Sequence, residues 1–113
     1  MNREQILRIL RILPREKAFY FFTSIGNYTG ESAASLKEFV EKINEVNMKS
    51  LEFHFYRGDF KKWIEEVLED KELGEDIRKL QKFRLTGNAL RTKLYVTVAK
   101  RYDSLVSQLR TDR

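Results

Sequence analysis

The residue types most able to do chemistry lie in one stretch, "LEFHFYRGDFKKWIEEVL", at residues 51–68. It contains the only histidine of the chain, His54, and the only tryptophan, Trp63, with Arg57 and Asp59 between them. A histidine beside a carboxylate can act in acid–base catalysis or ligate a metal. One histidine cannot form a metal site alone, and acidic co-ligands at helical spacing from His54 are missing. We therefore predict no metal site and assign no catalytic residue.

The aromatic surroundings of His54 favour a hydrophobic core over a chemical site. Trp63 shares one face of a predicted helix with Phe60 and Ile64, and such an apolar stripe is normally buried. The histidine beside it is then structural, while the neighbouring arginine and aspartate form a local ion pair or a helix cap. We predict that His54, Phe60, Trp63 and Ile64 belong to the structural core. A ligand pocket at the same cluster remains the alternative.

Several helices must position this stretch. Apolar periodicity near 3.6 residues predicts helices over residues 3–13, 30–46, 51–58, 60–69 and 71–82, and a last helix that begins near Asn88. Thr29, Asp59 and Asp70 are predicted to cap three of them. The apolar run at 18–24 has no periodicity that separates a strand from a helix. The segment "IGNYTGES", residues 25–32, is predicted as a loop because it contains two glycines.

These elements predict an all-α fold, a compact bundle of five to six helices with a long C-terminal helix. The chain of 113 residues is long enough for one domain, residues 1–113, with one core. The alternative is an α+β fold with a short hairpin formed by 18–24 and 51–56, since apolar residues also alternate in the second segment. The chain lacks cysteine, which excludes disulfides and thiol nucleophiles. No apolar run reaches about eighteen residues, so we expect a cytoplasmic protein without a membrane-spanning segment.

Charge is distributed unevenly along the chain. Residues 1–17 carry a net charge of +3 and residues 18–77 a net charge of −6, whereas residues 78–113 carry ten basic and two acidic residues, a net charge of +8. A segregated basic block is typical of a protein that binds the phosphates of a nucleic acid. The alternative interpretation is a solvated face that attracts the acidic middle of the chain. The candidate nucleic-acid-binding residues are Arg78, Lys79, Lys82, Arg84, Arg91, Lys93, Lys100 and Arg101.

The first predicted helix has an unusually wide apolar face. Its apolar residues cover more of the circumference than contact with one internal neighbour requires. We therefore predict a homodimer in which this helix pairs with its counterpart. The candidate interface residues are Ile6, Leu7, Ile9, Leu10 and Leu13.

The chain resembles a small prokaryotic domain family, frequent in archaea, whose function is unknown. The most specific part is the pattern of His54, Arg57, Asp59, Phe60, Trp63 and Ile64, followed by Asp70 and Leu73. Further matching segments, such as "AFYFFTSIGNYTG" and "GNALRTKLYVTVAKRY", extend the resemblance over most of the chain. Members usually have Leu-Ala where this chain has Leu73 and Gly74. The resemblance implies an independent, helical domain and brings no known activity.

We predict a non-enzymatic binding module that associates with RNA or the ribosome through its basic C-terminal helix. Phosphate contacts by lysine and arginine need no sequence motif. The alternative is a helical protein–protein adaptor or a regulatory subunit of a metabolic enzyme. An enzyme is not expected, because the chain has no cysteine, no glycine-rich phosphate loop and no histidine pair. No cofactor and no membrane partner are expected.

Overall fold

The computed structural model of the protein describes residues 1–111. Within that range the chain is predominantly helical, with one two-stranded antiparallel hairpin near its start. The elements are α1 (Arg3–Ile9), β1 (Phe19–Ser24), β2 (Asn27–Ala33), α2 (Leu36–Ile43), α3 (Met48–Arg57), α4 (Asp59–Trp63), α5 (Lys71–Leu80) and α6 (Gly87–Thr111). Short 3₁₀ turns occupy Arg15–Lys17 and Gln81–Phe83, and a π-helical turn, Ile64–Leu68, extends α4. The predicted bundle with a long C-terminal helix is confirmed, but the hairpin makes an α+β description fit about as well.

The hairpin differs from both sequence expectations. The loop predicted over residues 25–32 is wrong, because Asn27–Ala33 pairs with β1 as a strand. The predicted partner 51–56 is also wrong as a strand, since it lies in α3. Only Ile25 and Gly26 form the turn between the strands, and Gly26 has the positive φ of 78° that glycine adopts readily. β2 contains polar residues because most of it faces solvent.

A large bulge interrupts the pairing of the two strands. Tyr20 pairs with Ser32 and Phe22 with Tyr28, so three residues of β2 lie opposite one residue of β1. The Thr29 hydroxyl donates a hydrogen bond to the carbonyl oxygen of Phe21 at 2.7 Å, which satisfies a backbone group inside the bulge. Thr29 therefore stabilises the bulge. The sequence predicted that Thr29 caps a helix, and this prediction is wrong. Bulges disrupt an exposed strand edge and discourage pairing with another chain.

Helix α2 begins later than predicted. Ser35 is its N-cap, and its hydroxyl accepts a hydrogen bond from the amide of Glu38 at 3.1 Å. The Glu38 carboxylate in turn accepts one from the amide of Ala34 at 2.8 Å. The sequence Ser-Leu-Lys-Glu thus forms a capping arrangement that fixes the entry from β2 into the helix. The predicted start near residue 30 is wrong, since those residues belong to β2.

Helix α1 is also shorter than the predicted 3–13. It ends at Ile9, five residues before Pro14, and the segment after it is not helical. The amide of Leu13 instead donates a hydrogen bond to the carbonyl of Ala34 at 2.7 Å. This contact ties the segment that follows α1 to the segment that precedes α2.

The core lies between the inner face of the hairpin and the helices. Phe19 and Phe21 point inward from β1, and the Phe60 ring packs 5.1 Å from Phe19 and 6.2 Å from Phe21. Phe39 of α2 lies 5.1 Å from Phe60 by ring centroids. Helix α6 contributes a buried stripe, Leu90, Leu94, Val98 and Leu105. The hairpin and six helical segments described here therefore share one core.

A π-helical turn separates α4 from α5. Glu69 ends it in a left-handed conformation with φ of 67°, and Asp70 then caps α5 by accepting a hydrogen bond from the amide of Leu73 at 3.2 Å. The predicted cap at Asp70 is confirmed. A β-carbon placed on Gly74 would lie 2.3 Å from the Glu65 side chain. Glycine at this position therefore makes room for Glu65.

Candidate functional site

The eight basic residues predicted to bind phosphate divide into two groups. Arg78, Arg91 and Arg101 interact with neighbouring parts of the chain. The other five, Lys79, Lys82, Arg84, Lys93 and Lys100, are exposed, and none takes part in the ion pairs formed within residues 1–111. The second group therefore has no ionic partner within the described residues and offers its charge to an external one.

Arg101 forms the most buried ion pair of the described chain. Its Nε lies 2.9 Å from Oδ2 of Asp70 and its Nη2 lies 3.1 Å from Oδ1, a two-point contact, while Nη1 pairs with Glu72. The Arg101 side chain is 10% exposed and that of Asp70 is fully buried. Burial opposes the charged form of Arg101, but the hydrogen bond and charge of Asp70 outweigh it and raise the pKa of the guanidinium. Arg101 thus joins α6 to the start of α5.

Arg91 and Arg78 also have structural roles. Arg91 donates hydrogen bonds to the carbonyl oxygens of Asn44 and Val46, both at 2.8 Å, just beyond the end of α2. A cation there satisfies carbonyls that the helix leaves without partners. Arg78 pairs with Glu75 one turn earlier on the exposed side of α5. These contacts satisfy the Arg91 guanidinium within the chain, whereas Arg78 shares its charge with Glu75 at an exposed position.

An exposed aromatic ring lies beside some of these cations. Phe83 ends the 3₁₀ turn between α5 and α6 and is 55% exposed. The ammonium of Lys82 lies 5.2 Å from the centre of its ring, and Arg84 follows with a positive φ of 52°. An aromatic ring flanked by cations suits the stacking of an unpaired base.

An open groove runs from Phe83 onto α6. Leu85, Asn88, Ala89, Thr92 and Lys93 line it beside the ring, with a volume of about 690 Å³. Lys93 also lines a second groove between α5 and α6, which Lys100 borders two helical turns further on. We call the exposed set Lys79, Lys82, Phe83, Arg84, Lys93 and Lys100 the basic surface.

The N-terminus of α6 is already occupied by a carboxylate. Glu52 of α3 accepts a hydrogen bond from the amide of Gly87 at 2.8 Å. The hydroxyl of Tyr56, one turn later on α3, donates to the carbonyl oxygen of Leu85 at 2.5 Å. A helix N-terminus attracts anions, and here the carboxylate of Glu52, from the same chain, already lies there. The anion-binding capacity of this region therefore depends on its side chains.

Both ring nitrogens of His54 have partners. Nε2 lies 2.8 Å from the amide nitrogen of Phe22 and can only accept that hydrogen bond, so the proton is on Nδ1, 2.8 Å from Oδ2 of Asp59. Burial lowers the pKa of His54, against the opposing influence of Asp59. A neutral histidine with both nitrogens engaged is suited neither to metal binding nor to proton transfer. It joins β1 to α3.

The rest of the central cluster is packed in the core or at its edge. Phe60 and Ile64 are fully buried, and Trp63 donates a hydrogen bond from Nε1 to the carbonyl oxygen of Lys17 at 2.8 Å. Asp59 does not cap α4 with its side chain. Its carboxylate instead pairs with His54 and with Arg57, whose Nε lies 3.2 Å away. The local ion pair expected from the sequence is present, and the expected helix cap is absent.

The predicted dimer helix gives most of its apolar side chains to the core of its own chain. Ile6, Ile9 and Leu13 are buried there. They are therefore removed from the candidate interface, because they cannot also contact a second copy. Leu10 is half-buried, whereas Leu7 and the neighbouring Ile12 are exposed.

Two features of the basic surface were missed at the sequence level. Phe83 was not singled out, although an aromatic residue within the basic segment "RKLQKFR" is an available signal. The carboxylate of Glu52 at the start of α6 has no sequence signal, since 35 residues separate it from Gly87. Among residues 1–111, no helix is long and apolar enough to cross a membrane, and no cluster of three or more His, Cys, Asp or Glu has a geometry able to hold a metal ion.

The architecture is that of a small helical domain with an N-terminal hairpin and a basic surface around the start of its last helix. The chain belongs to the family of unknown function DUF5752, whose family model matches residues 14–112. No curated protein and no solved structure matches the chain.

Proposed function

We propose that this protein is a non-enzymatic RNA-binding module of the cytoplasm, with RNA or the ribosome as its partner. The observation that carries the proposal is the exposed Phe83 ring, with Lys82 over its face and the exposed Lys93 in the same groove. The cations would contact phosphates, and the ring would stack on a base. Arg78, Arg91 and Arg101 are not part of this proposal because their guanidinium groups have partners within the chain.

The shape of the basic surface favours single-stranded RNA. Base stacking requires an unpaired base, and the apolar groove beside Phe83 has room for one. The second groove, between α5 and α6, also contains Glu72 and Asp76, which would repel a second line of phosphates. We therefore place the phosphate contacts at Lys82, Arg84 and Lys93, close to the ring.

The experiment is a titration of fluorescently labelled single-stranded RNA of mixed sequence, followed by anisotropy. We expect Phe83→Leu to weaken binding by roughly five- to a hundredfold, since one stacked base contributes about 1–3 kcal/mol. Leucine keeps an apolar side chain at an exposed position, so the fold should be unaffected. Tyr28→Leu is the matched control, because it removes an exposed ring from the hairpin. Equal binding by Phe83→Leu and the wild type would contradict the stacking role.

A protein–protein adaptor or regulatory subunit is the second candidate function. It is supported by exposed apolar side chains outside the basic surface, above all Ile12 at 84%. With Leu7 and Leu10, this residue would also supply the interface of the homodimer that we continue to propose. An association with cell-extract proteins that survives complete RNA digestion would favour this function.

A further inference from the structure

A cleft outside the basic surface lies between the turn of the hairpin and α3. It has a volume of about 310 Å³, within the range of small-molecule sites. Its walls are mainly apolar and aromatic, formed by Phe19, Tyr20, Phe22, Ile25 and Phe53. Ile25, at the tip of the hairpin, is 86% exposed. Neither the RNA proposal nor the core packing accounts for this arrangement.

Arg57 provides the polar end of the cleft. Its guanidinium carbon lies 4.6 Å from the centre of the Phe53 ring, and its Nε faces Asp59. These two contacts hold the side chain in place although it is half-exposed. Its Nη1 and Nη2 form no hydrogen bond within residues 1–111, so they remain as a pair of donors. Such a pair matches the two oxygens of a carboxylate.

The other polar groups of the cleft favour an anion over a cation. Asp59 already accepts a hydrogen bond from His54 and forms an ion pair with Arg57, and both nitrogens of His54 are engaged. Ser24 lines the same cleft and its hydroxyl is available as a further donor. Free hydrogen-bond donors beside an apolar wall are complementary to a ligand that carries one acidic group on an apolar skeleton.

We propose that the cleft between the hairpin and α3 binds a small apolar carboxylate. Arg57 donates hydrogen bonds to the carboxylate from Nη1 and Nη2, and the apolar part of the ligand packs between Phe53 and Ile25. The ligand is a free small molecule, because the cleft is short and bounded by the tip of the hairpin. No residue of this site belongs to the basic surface, so this proposal and the RNA proposal can fail separately.

The test uses phenylacetate as the probe, added to the full chain up to about 10 mM and followed by nuclear magnetic resonance. We expect saturable shifts at the Ile25 methyl groups and at the amides of Phe53 and Arg57. Phenylacetamide, which has the same shape without the charge, should bind about tenfold more weakly, and benzylamine should not bind. Equal affinity for phenylacetate and phenylacetamide, or no saturable shift with phenylacetate, would overturn the proposal.

Two variants separate recognition from folding. Arg57→Gln should weaken phenylacetate binding by about tenfold or more while the amide spectrum stays that of the folded protein. Lys71→Gln removes an exposed cation outside the cleft and should leave binding unchanged. If both variants bind like the wild type, Arg57 is not the anchor and the proposal is wrong. Tighter binding of a short acetylated peptide that ends in phenylalanine would overturn the assignment to a free small molecule.

Discussion

Nε2 of His54 accepts a hydrogen bond from the backbone amide of Phe22 at 2.8 Å, which fixes the histidine in its neutral form. Protonation would place a second donor opposite that amide, and the hydrogen bond would be lost. A buried side chain on α3 thus holds the edge of β1 only while it remains uncharged. The junction between the hairpin and the helices should therefore be sensitive to pH.

The first prediction concerns that sensitivity. The pKa of His54 is lowered in the folded protein from the ordinary value of 6.5, first because of burial. The unfolded chain then binds a proton more readily than the folded chain, so the His54 contribution is fully present above about pH 6.5 and is lost as pH falls from there through the folded pKa. We expect the free energy of unfolding, measured with urea, to fall over this window.

His54→Gln is the control for the pH prediction. Glutamine can accept a hydrogen bond but does not titrate, so the variant should lose stability overall and also lose this part of the pH dependence. A variant whose stability changes between pH 7 and 5 as steeply as the wild type would show that other groups cause the effect.

The second prediction concerns Trp63. Its indole is nearly fully buried and its Nε1 donates to the carbonyl of Lys17. Trp63→Ala should lower the free energy of unfolding by about 3–5 kcal/mol. Trp63→Phe keeps most of the packing and should lose less, since about 1 kcal/mol belongs to the hydrogen bond. Calorimetry that gives an unchanged Tm for Trp63→Ala would show that the ring is not structural.

The third prediction separates Arg101 from its neighbour Lys100. Arg101→Met leaves the buried Asp70 carboxylate without its cation, which should cost about 3–5 kcal/mol of stability. Lys100→Gln removes an exposed charge and should change stability by less than about 0.5 kcal/mol. Chemical denaturation of the two variants makes the comparison. Similar stability of both would mean that the Asp70–Arg101 pair contributes little.

The fourth prediction tests the reassigned residues of α1. Ile6 is buried in the core of its own chain, so Ile6→Ala should destabilise the protein by about 2–5 kcal/mol at every protein concentration. Leu7→Ser and Ile12→Ser together should leave the fold of the monomer intact and weaken any dimer, as measured by sedimentation. If the loss of stability of Ile6→Ala disappeared at high protein concentration, Ile6 would be a residue of the dimer interface.

The helices could be predicted from the sequence because their signals are local. Asp70 caps α5 as expected. Its carboxylate accepts a hydrogen bond from an amide only three residues later in the sequence. The stripe of Leu90, Leu94 and Val98 on α6 follows from helical periodicity alone. The strand β2 could not be predicted, because its polar residues and Gly30 have the composition of a loop. It is a strand only because β1 pairs with it.

The candidate site was less predictable, because charge in the sequence does not reveal which charges are paired. Arg101 and Lys100 are adjacent and equally basic, yet one is buried against Asp70 and the other faces solvent. The acidic partners of Arg101 lie about thirty residues away in the sequence, and only the packing of α5 against α6 brings them close to it. The sequence likewise could not show which apolar residues of the first predicted helix are buried in the chain's own core, as Ile6, Ile9 and Leu13 are. Helix α1 packs against α6 of its own chain.

The salt dependence of RNA binding tests the central claim most directly. The triple variant Lys82→Gln, Arg84→Gln and Lys93→Gln should bind single-stranded RNA more weakly than the wild type. Its slope of log affinity against log salt should be smaller by about two, because three phosphate contacts are lost. The triple variant Lys37→Gln, Lys49→Gln and Lys71→Gln removes the same charge from other exposed positions and should keep the wild-type slope. Equal slopes for the two triple variants, or no RNA binding by the wild-type protein at low salt, would contradict the account.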